Sequence, residues 1–277
     1  MGFPGRAPRL LFVDSGLGGL TVLRAARQAI PEAEIRFIAD NAGFPYGSQA
    51  ETDLVARLQA LIARAISDFS PDCIVLACNT ASTIALSPLR ESFPVPFVGT
   101  VPAIKPAASL TRTGLVSVLA TPGTAGREYT QALIGRFGGG ARFTLIGAPS
   151  LAALAEAYAS GVPADDAAIA NEIAPCFIET GGGRTDVVVL GCTHYPLLLD
   201  KLEALAQWPV TWLDPAPAIA RRIANVLSEA GHIVGVGAKS GPGEMQFTSS
   251  IGPSLALAAL LQSHQLRILP FEAAFAA

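Results

Sequence analysis

Two stretches of the chain share one grammar of apolar and polar positions. Asp72–Thr80, DCIVLACNT, passes from an aspartate through an apolar run to a small residue, a cysteine and polar residues. Asp186–Pro196, DVVVLGCTHYP, does the same. A short, unalternated, β-branched apolar run predicts a buried parallel strand. Parallel sheets present their chemistry just past the C-terminal ends of their strands, which is where Cys78 and Cys192 fall.

The remaining pattern alternates strands with helical stretches. Arg9–Ser15, Glu34–Asp40, Asp72–Cys78 and Val95–Gly99 predict strands, with helices over Leu20–Ala29 and Glu51–Phe69, the latter stopped by Ser70-Pro71. The pattern restarts at Gly114–Thr121. A helix to about Phe137, a strand at Arg142–Ala148, helical segments at Ser150–Ala159 and Asp165–Glu179, and a strand at Thr185–Cys192 follow. After Pro209–Asp214 come a helix, Ala216–Ala230, a Gly-rich loop, a strand, Glu244–Ser249, and a short helix, Pro253–Ser263. Such alternation implies right-handed βαβ units. In both halves a cysteine closes the third strand, the mark of an internal duplication. The expected fold is α/β: two pseudo-symmetric flavodoxin-like domains with parallel sheets and a cleft between them. The first spans 1–100 plus 211–277, the tail returning to it; the second spans 101–210.

Composition narrows the function classes. Hydrophobic residues make up 51% and charged ones 15%, which describes a compact chain without long disorder. The net charge is −3 and there is no basic run, which disfavours nucleic acid as the main ligand. No apolar stretch is long enough to span a membrane, and the N-terminal apolar run reads as a first strand rather than a signal peptide. A cytoplasmic protein with four reduced thiols is expected, and the absence of paired C-x-x-C spacing argues against structural zinc.

Cys78 and Cys192 stand out because each ends a strand and precedes polar residues and a helix start, where free N–H groups favour thiolate. Cys73 and Cys176 read as small core residues. One cysteine near a histidine suggests nucleophilic hydrolysis. Two at equivalent ends of facing domains suggest a two-base racemase, with one thiolate taking a proton and one thiol giving it on the opposite face. Asp14, ending the first strand beside Cys78, is either a partner for that thiol or a helix N-cap over Gly16–Leu20. His194 is the only one of the three histidines in a strand-end motif, and a turn role bonding backbone is its alternative. Ser15, Asn79, Thr80, Thr121, Thr124 and Thr193 also fall at strand ends. Each alone could be a cap; together they could hold a carboxylate and an ammonium by neutral hydrogen bonds. The Gly16–Gly19 turn lacks the dinucleotide fingerprint, and no phosphate-loop motif occurs.

DSGLGG (Asp14–Gly19), PYG (Pro45–Gly47), CNT (Cys78–Thr80) and GCTHYPLL (Gly191–Leu198) resemble the motifs of glutamate racemases, within the cofactor-independent aspartate/glutamate racemase superfamily. The resemblance covers nearly the whole chain. It implies Cys78 and Cys192 as the acid/base thiols, facing the α-proton of the D- and L-enantiomer respectively, with Asp14 assisting Cys78 and His194 assisting Cys192. It implies Asp14, Ser15, Pro45, Tyr46, Gly47, Asn79, Thr80, Thr121, Thr124, Thr193 and His194 as substrate contacts. Glu156, seven residues after Pro149, keeps a family spacing and is the candidate partner of His194. The resemblance further implies catalysis without pyridoxal phosphate or metal, glutamate as substrate, D-glutamate for peptidoglycan, and a homodimer. Three positions depart from the family pattern: Gly43 where arginine is common, Ala148 where cysteine often stands, and Arg127 in place of a small hydroxyl residue. A racemase of aspartate or a hydantoin, a Cys-His hydrolase, and a non-catalytic acidic amino-acid binding module are the competing readings.

Overall fold

The computed structural model describes residues 6–235, 237–249 and 254–270. In the first lobe the chain runs β1 (Arg9–Asp14), α1 (Leu20–Ala29), β2 (Glu34–Ala39), α2 (Glu51–Phe69), β3 (Cys73–Leu76), α3 (Asn79–Ser92) and β4 (Phe97–Gly99). The second lobe follows: α4 (Ile104–Leu110), β5 (Leu115–Ala120), α5 (Pro122–Ala125), α6 (Glu128–Phe137), β6 (Arg142–Gly147), α7 (Leu151–Ala159), α8 (Asp166–Ile173), β7 (Glu179–Thr180), β8 (Gly183–Arg184), β9 (Val187–Leu190), α9 (Leu199–Leu205) and β10 (Thr211–Leu213). The chain closes with α10 (Ala216–Glu229), β11 (Gly243–Phe247), α11 (Leu255–Ser263) and β12 (Leu266–Ile268).

Two parallel sheets carry the lobes, ordered β12-β11-β2-β1-β3-β4 and β10-β9-β5-β6. Each half thus repeats one order, β2-β1-β3-β4 matching β6-β5-β9-β10, with β11 and β12 added to the first. Successive strand residues serve opposite faces. In β1, Leu10 and Phe12 pack under α1 and α10, while Leu11 and Val13 pack under α2 and α3. In the second sheet, Val188 and Leu190 face α7–α9, while Val187 and Val189 face α4. Helices on both faces explain why the strands read as unbroken apolar runs.

The structure corrects several expectations. The helix placed over 165–179 stops at Ile173, and Glu179 instead lies in the hairpin β7–β8. Its two-residue turn, Gly181 and Gly182, has φ of 62° and 81°, a left-handed pair that suits glycine and a tight hairpin. The helix expected to run to Phe137 breaks at Arg127, whose backbone is extended. Thr211–Leu213 was expected beyond the second crossing at 210, yet it pairs with β9 in the second sheet. The chain returns to the first lobe with α10, whose Ile219, Ile223 and Leu227 join that core. β12 was not foreseen; it pairs in parallel with β11 at the sheet edge. Pro253, the expected start of the last helix, lies outside the described residues.

Candidate active site

The central strands deliver the site. β1 lies between β2 and β3, so Asp14 ends its strand beside the end of β3. Two residues past β3 comes Cys78; two residues past β9 comes Cys192, and both are buried. The two thiols are close enough for charge on Cys192 to raise the pKa of Cys78.

Around Cys78 the first lobe is organised by Asp14. Its carboxylate accepts the N–H of Ser15 at 2.7 Å and of Gly19 at 2.6 Å, so it ties the turn into α1. It does not cap the helix itself: the N-cap residue of α1 is Gly19, with no side-chain cap. Ser15 Oγ lies 3.4 Å from Asp14 Oδ1 and 4.0 Å from Cys78 Sγ, which makes Ser15 the physical link between carboxylate and thiol. Burial raises the pKa of Asp14, opposed by the charge of His194 and by its backbone donors. The Cys78 thiol departs from the helix-terminus expectation. Burial, then the nearby Asp14 charge, push it well above the ordinary range, and the Ala81 N–H does not offset them. Desolvation outweighs the helix end here.

Around Cys192 the second lobe sets a chain of groups. His194 Nδ1 lies 3.9 Å from Cys192 Sγ, and His194 Nε2 lies 2.9 Å from Glu156 Oε2. The same carboxylate oxygen accepts the N–H of Leu17 at 2.9 Å, so Glu156 joins the two lobes. Burial works against a charged imidazole. The contacts with Cys192 and Glu156, and the Asp14 charge, prevail and raise the His194 pKa well above its usual value. The first-lobe turn fits this ensemble through its glycines. A Cβ on Gly16 would lie 2.7 Å from the Glu156 carboxylate, and one on Gly18 would lie 2.4 Å from His194 Nδ1. Cys192 leads into a 3₁₀ turn, Tyr195–Leu198, rather than directly into an α-helix.

The remaining expected residues are distributed as follows. Thr80 Oγ1 meets Thr121 Oγ1 across the cleft at 3.4 Å, and Thr121 in turn meets Thr124 Oγ1 at 3.1 Å and accepts the Thr124 N–H. The Tyr46 hydroxyl donates to Asp40 at 2.7 Å, so its polar end is already occupied. Pro45 and Gly47 are exposed at the lip, where Gly47 approaches Gly123 of the other lobe. Asn79 and Thr193, each directly after a cysteine, differ from the rest. Asn79 Oδ1 and Nδ2 and Thr193 Oγ1 are buried without a hydrogen-bond partner among the described residues. Buried polar atoms are nearly always paired, so these three, next to the cysteines, keep hydrogen-bonding capacity to offer a ligand. Cys73 and Cys176, in the two cores, have thiols pushed by burial up to about 12.

Several neighbours escaped the sequence reading. Phe44 packs its ring 5.5 Å from that of His194. Asp40, fully buried, accepts from Tyr46, from both arms of Arg57 and from the Thr248 hydroxyl at 2.6 Å. A Cβ on Gly43 would lie 2.7 Å from Arg57 Nε and from Asp40 Oδ2, so a side chain at that position would have to displace the Arg57–Asp40 pair. Arg127 bonds the Gly123 carbonyl and ion-pairs with Glu51 of the first lobe, which gives this departure a bridging place at the cleft edge. Phe44 had only its place beside the PYG motif as a sequence signal, Asp40 only its place at a predicted strand end, and nothing pointed to Glu51.

Two parallel-sheet lobes, each ending a central strand in a buried thiol, define a two-lobed α/β protein. The chain belongs to the Asp/Glu/hydantoin racemase family, whose model matches residues 21–223. It is 50% identical over 259 residues to a glutamate racemase of Brucella ovis, covering 93% of this chain and 92% of that one. It is 54% identical over 219 residues to one of Brucella anthropi, covering 79% of each. Among solved structures, Escherichia coli glutamate racemase, in complex with L-glutamate and the activator UDP-MurNAc-Ala, superposes with a TM-score of 0.84 at 35% identity, over 95% of this chain and 97% of that one.

Proposed function

We propose that the chain interconverts L- and D-glutamate by proton transfer at the α-carbon between two thiols. The observation that carries this reading is the placement of Cys78 and Cys192 at equivalent strand ends of opposite lobes, each with its own partners. Inversion needs a base on one face of the carbon and an acid on the other, and the duplicated fold supplies that near-mirror pair. Asp14 and Ser15 serve Cys78; His194, held by Glu156, serves Cys192. Cys78, held as a thiol by burial, is suited to give a proton to the face opposite Cys192. Asn79 and Thr193 supply donors and acceptors for the substrate's polar ends, with the Thr80–Thr121–Thr124 chain alongside.

The α-proton is only weakly acidic, so the site must stabilise the carbanion by neutral donors and the imidazolium acting in a dry, low-dielectric cleft. The relatives' names support glutamate as substrate over aspartate or a hydantoin. The resemblance also supports a homodimeric, cytoplasmic enzyme supplying D-glutamate for peptidoglycan. Among the described residues no helix is long and apolar enough to cross a membrane.

The Cys192–His194–Glu156 sequence of contacts is also what a Cys-His hydrolase would require, but that reading leaves Cys78 and its partners without a role. The purified protein in deuterated water tests the proposal. Both enantiomers should lose the α-proton and yield the mirror-image product. Absence of exchange from either enantiomer overturns it.

A further inference from the structure

A second, separate cavity lies on the far side of the first lobe, against the C-terminal half of α1. It measures about 590 Å³, within the range of pockets that hold small organic ligands. Arg24 and Arg27 stand three residues apart on α1 and so share one helix face. Lys239 and Ser240 enter from the segment before β11, and His264 and Gln265 from the turn between α11 and β12. Four of the lining side chains are cationic or can become so, and none is acidic.

Arg24 and Lys239 are exposed, and no ion pair holds either among the described residues. Asp214 feels the Arg24 charge but lies off the cavity wall. Arg27 donates one Nη to the Gln265 carbonyl at 3.1 Å, while its Nε is buried without a partner. His264 Nδ1 is occupied by the Leu260 carbonyl at 2.9 Å, which leaves Nε2 as its remaining ring nitrogen. Burial and the charges of Arg24 and Arg27 hold this imidazole below its usual pKa. Leu23 and Pro31 add apolar wall. Like charges are gathered here at an electrostatic cost that a bound anion would remove.

We infer that this cavity is a binding site for a small phosphorylated molecule, its phosphate or diphosphate held by Arg24, Arg27 and Lys239 and its body against Leu23 and Pro31. The inference is independent of the racemase reading. Calorimetric titration of the full chain with inorganic pyrophosphate and with ADP tests it. Binding by pyrophosphate alone would assign recognition to the anion, and tighter binding of ADP would assign part of it to the apolar wall. Removal of one charged hydrogen bond weakens binding about tenfold or more, so Arg24→Glu and Lys239→Glu should each show at least that loss. Both side chains are exposed, and an unchanged melting temperature checks the fold. Saturation should also move the titration of the His264 ring resonance to higher pH. No saturable binding of either probe up to about 10 mM, binding unchanged in both variants, or a His264 titration indifferent to ligand each overturns the inference.

Discussion

Gly18 and His194 come from different lobes, and a Cβ on the first would lie 2.4 Å from Nδ1 of the second. The glycine turn after β1 is therefore a packing surface for the imidazole. Gly18→Ala must displace His194 or part the lobes. A shift of about 1 Å at a reacting group costs on the order of 10²-fold in rate. Racemisation by Gly18→Ala should fall by about that much, with an overall fold by circular dichroism like the parent's. Near-parental turnover would show that the turn has slack.

Glu156 holds His194 and Leu17 with one oxygen. Glu156→Gln keeps an acceptor for Leu17 but weakens the carboxylate hydrogen bond that helps raise the His194 pKa. The His194 titration, followed by NMR, should move to lower pH in this variant. A titration left unmoved would mean that Cys192 and Asp14 alone set it.

Linkage gives the sign of a stability effect. The folded pKa of His194 lies above its unfolded value near 6.5. Its charged interactions thus stabilise the fold fully below about pH 6.5 and are lost as the pH rises through the folded value. Denaturant unfolding of the parent and of His194→Asn should show a difference in stability that shrinks from pH 6.5 upward. A difference that grows with pH would contradict the assignment of charge.

Asp40 is fully buried and gathers Tyr46, Arg57 and Thr248. The Arg57 side chain left behind without Asp40 is 22% exposed, so the loss is mainly that of buried hydrogen-bond partners, about 1–3 kcal/mol. Asp40→Ala should lose stability of that order in urea unfolding and loosen the Pro45–Gly47 lip, raising KM. Arg127→Ala breaks a contact whose Glu51 end is 62% exposed, so its loss should cost under about 1 kcal/mol. Its effect should fall instead on lobe opening, read as a salt-dependent change in product release.

The features legible in the sequence were local. The unbroken apolar runs marked β3 and β9, and the residues that end them marked both cysteines. The duplication emerged because two βαβ units repeat one order. Contacts made across the chain left no local trace. Thr248 meets Asp40 across 208 positions and Leu17 meets Glu156 across 139, and spacing cannot show such pairs. Glu156 itself was reached through family spacing rather than through any physical signal. The hairpin at Glu179–Arg184 was misread because Gly181–Gly183 serves equally as a helix stop and as a turn. The rise in the Cys78 pKa depends on burial beside Asp14, which only the folded lobes create.

The most direct test of the two-thiol account is turnover in both directions, L to D and D to L, for Cys78→Ser and Cys192→Ser, with Cys73→Ser and Cys176→Ser as controls. The account predicts that each of the first two variants loses racemisation in both directions, by about 10²-fold or more, while the core variants retain it to the extent that they fold. Near-parental racemisation by either Cys78→Ser or Cys192→Ser would contradict it.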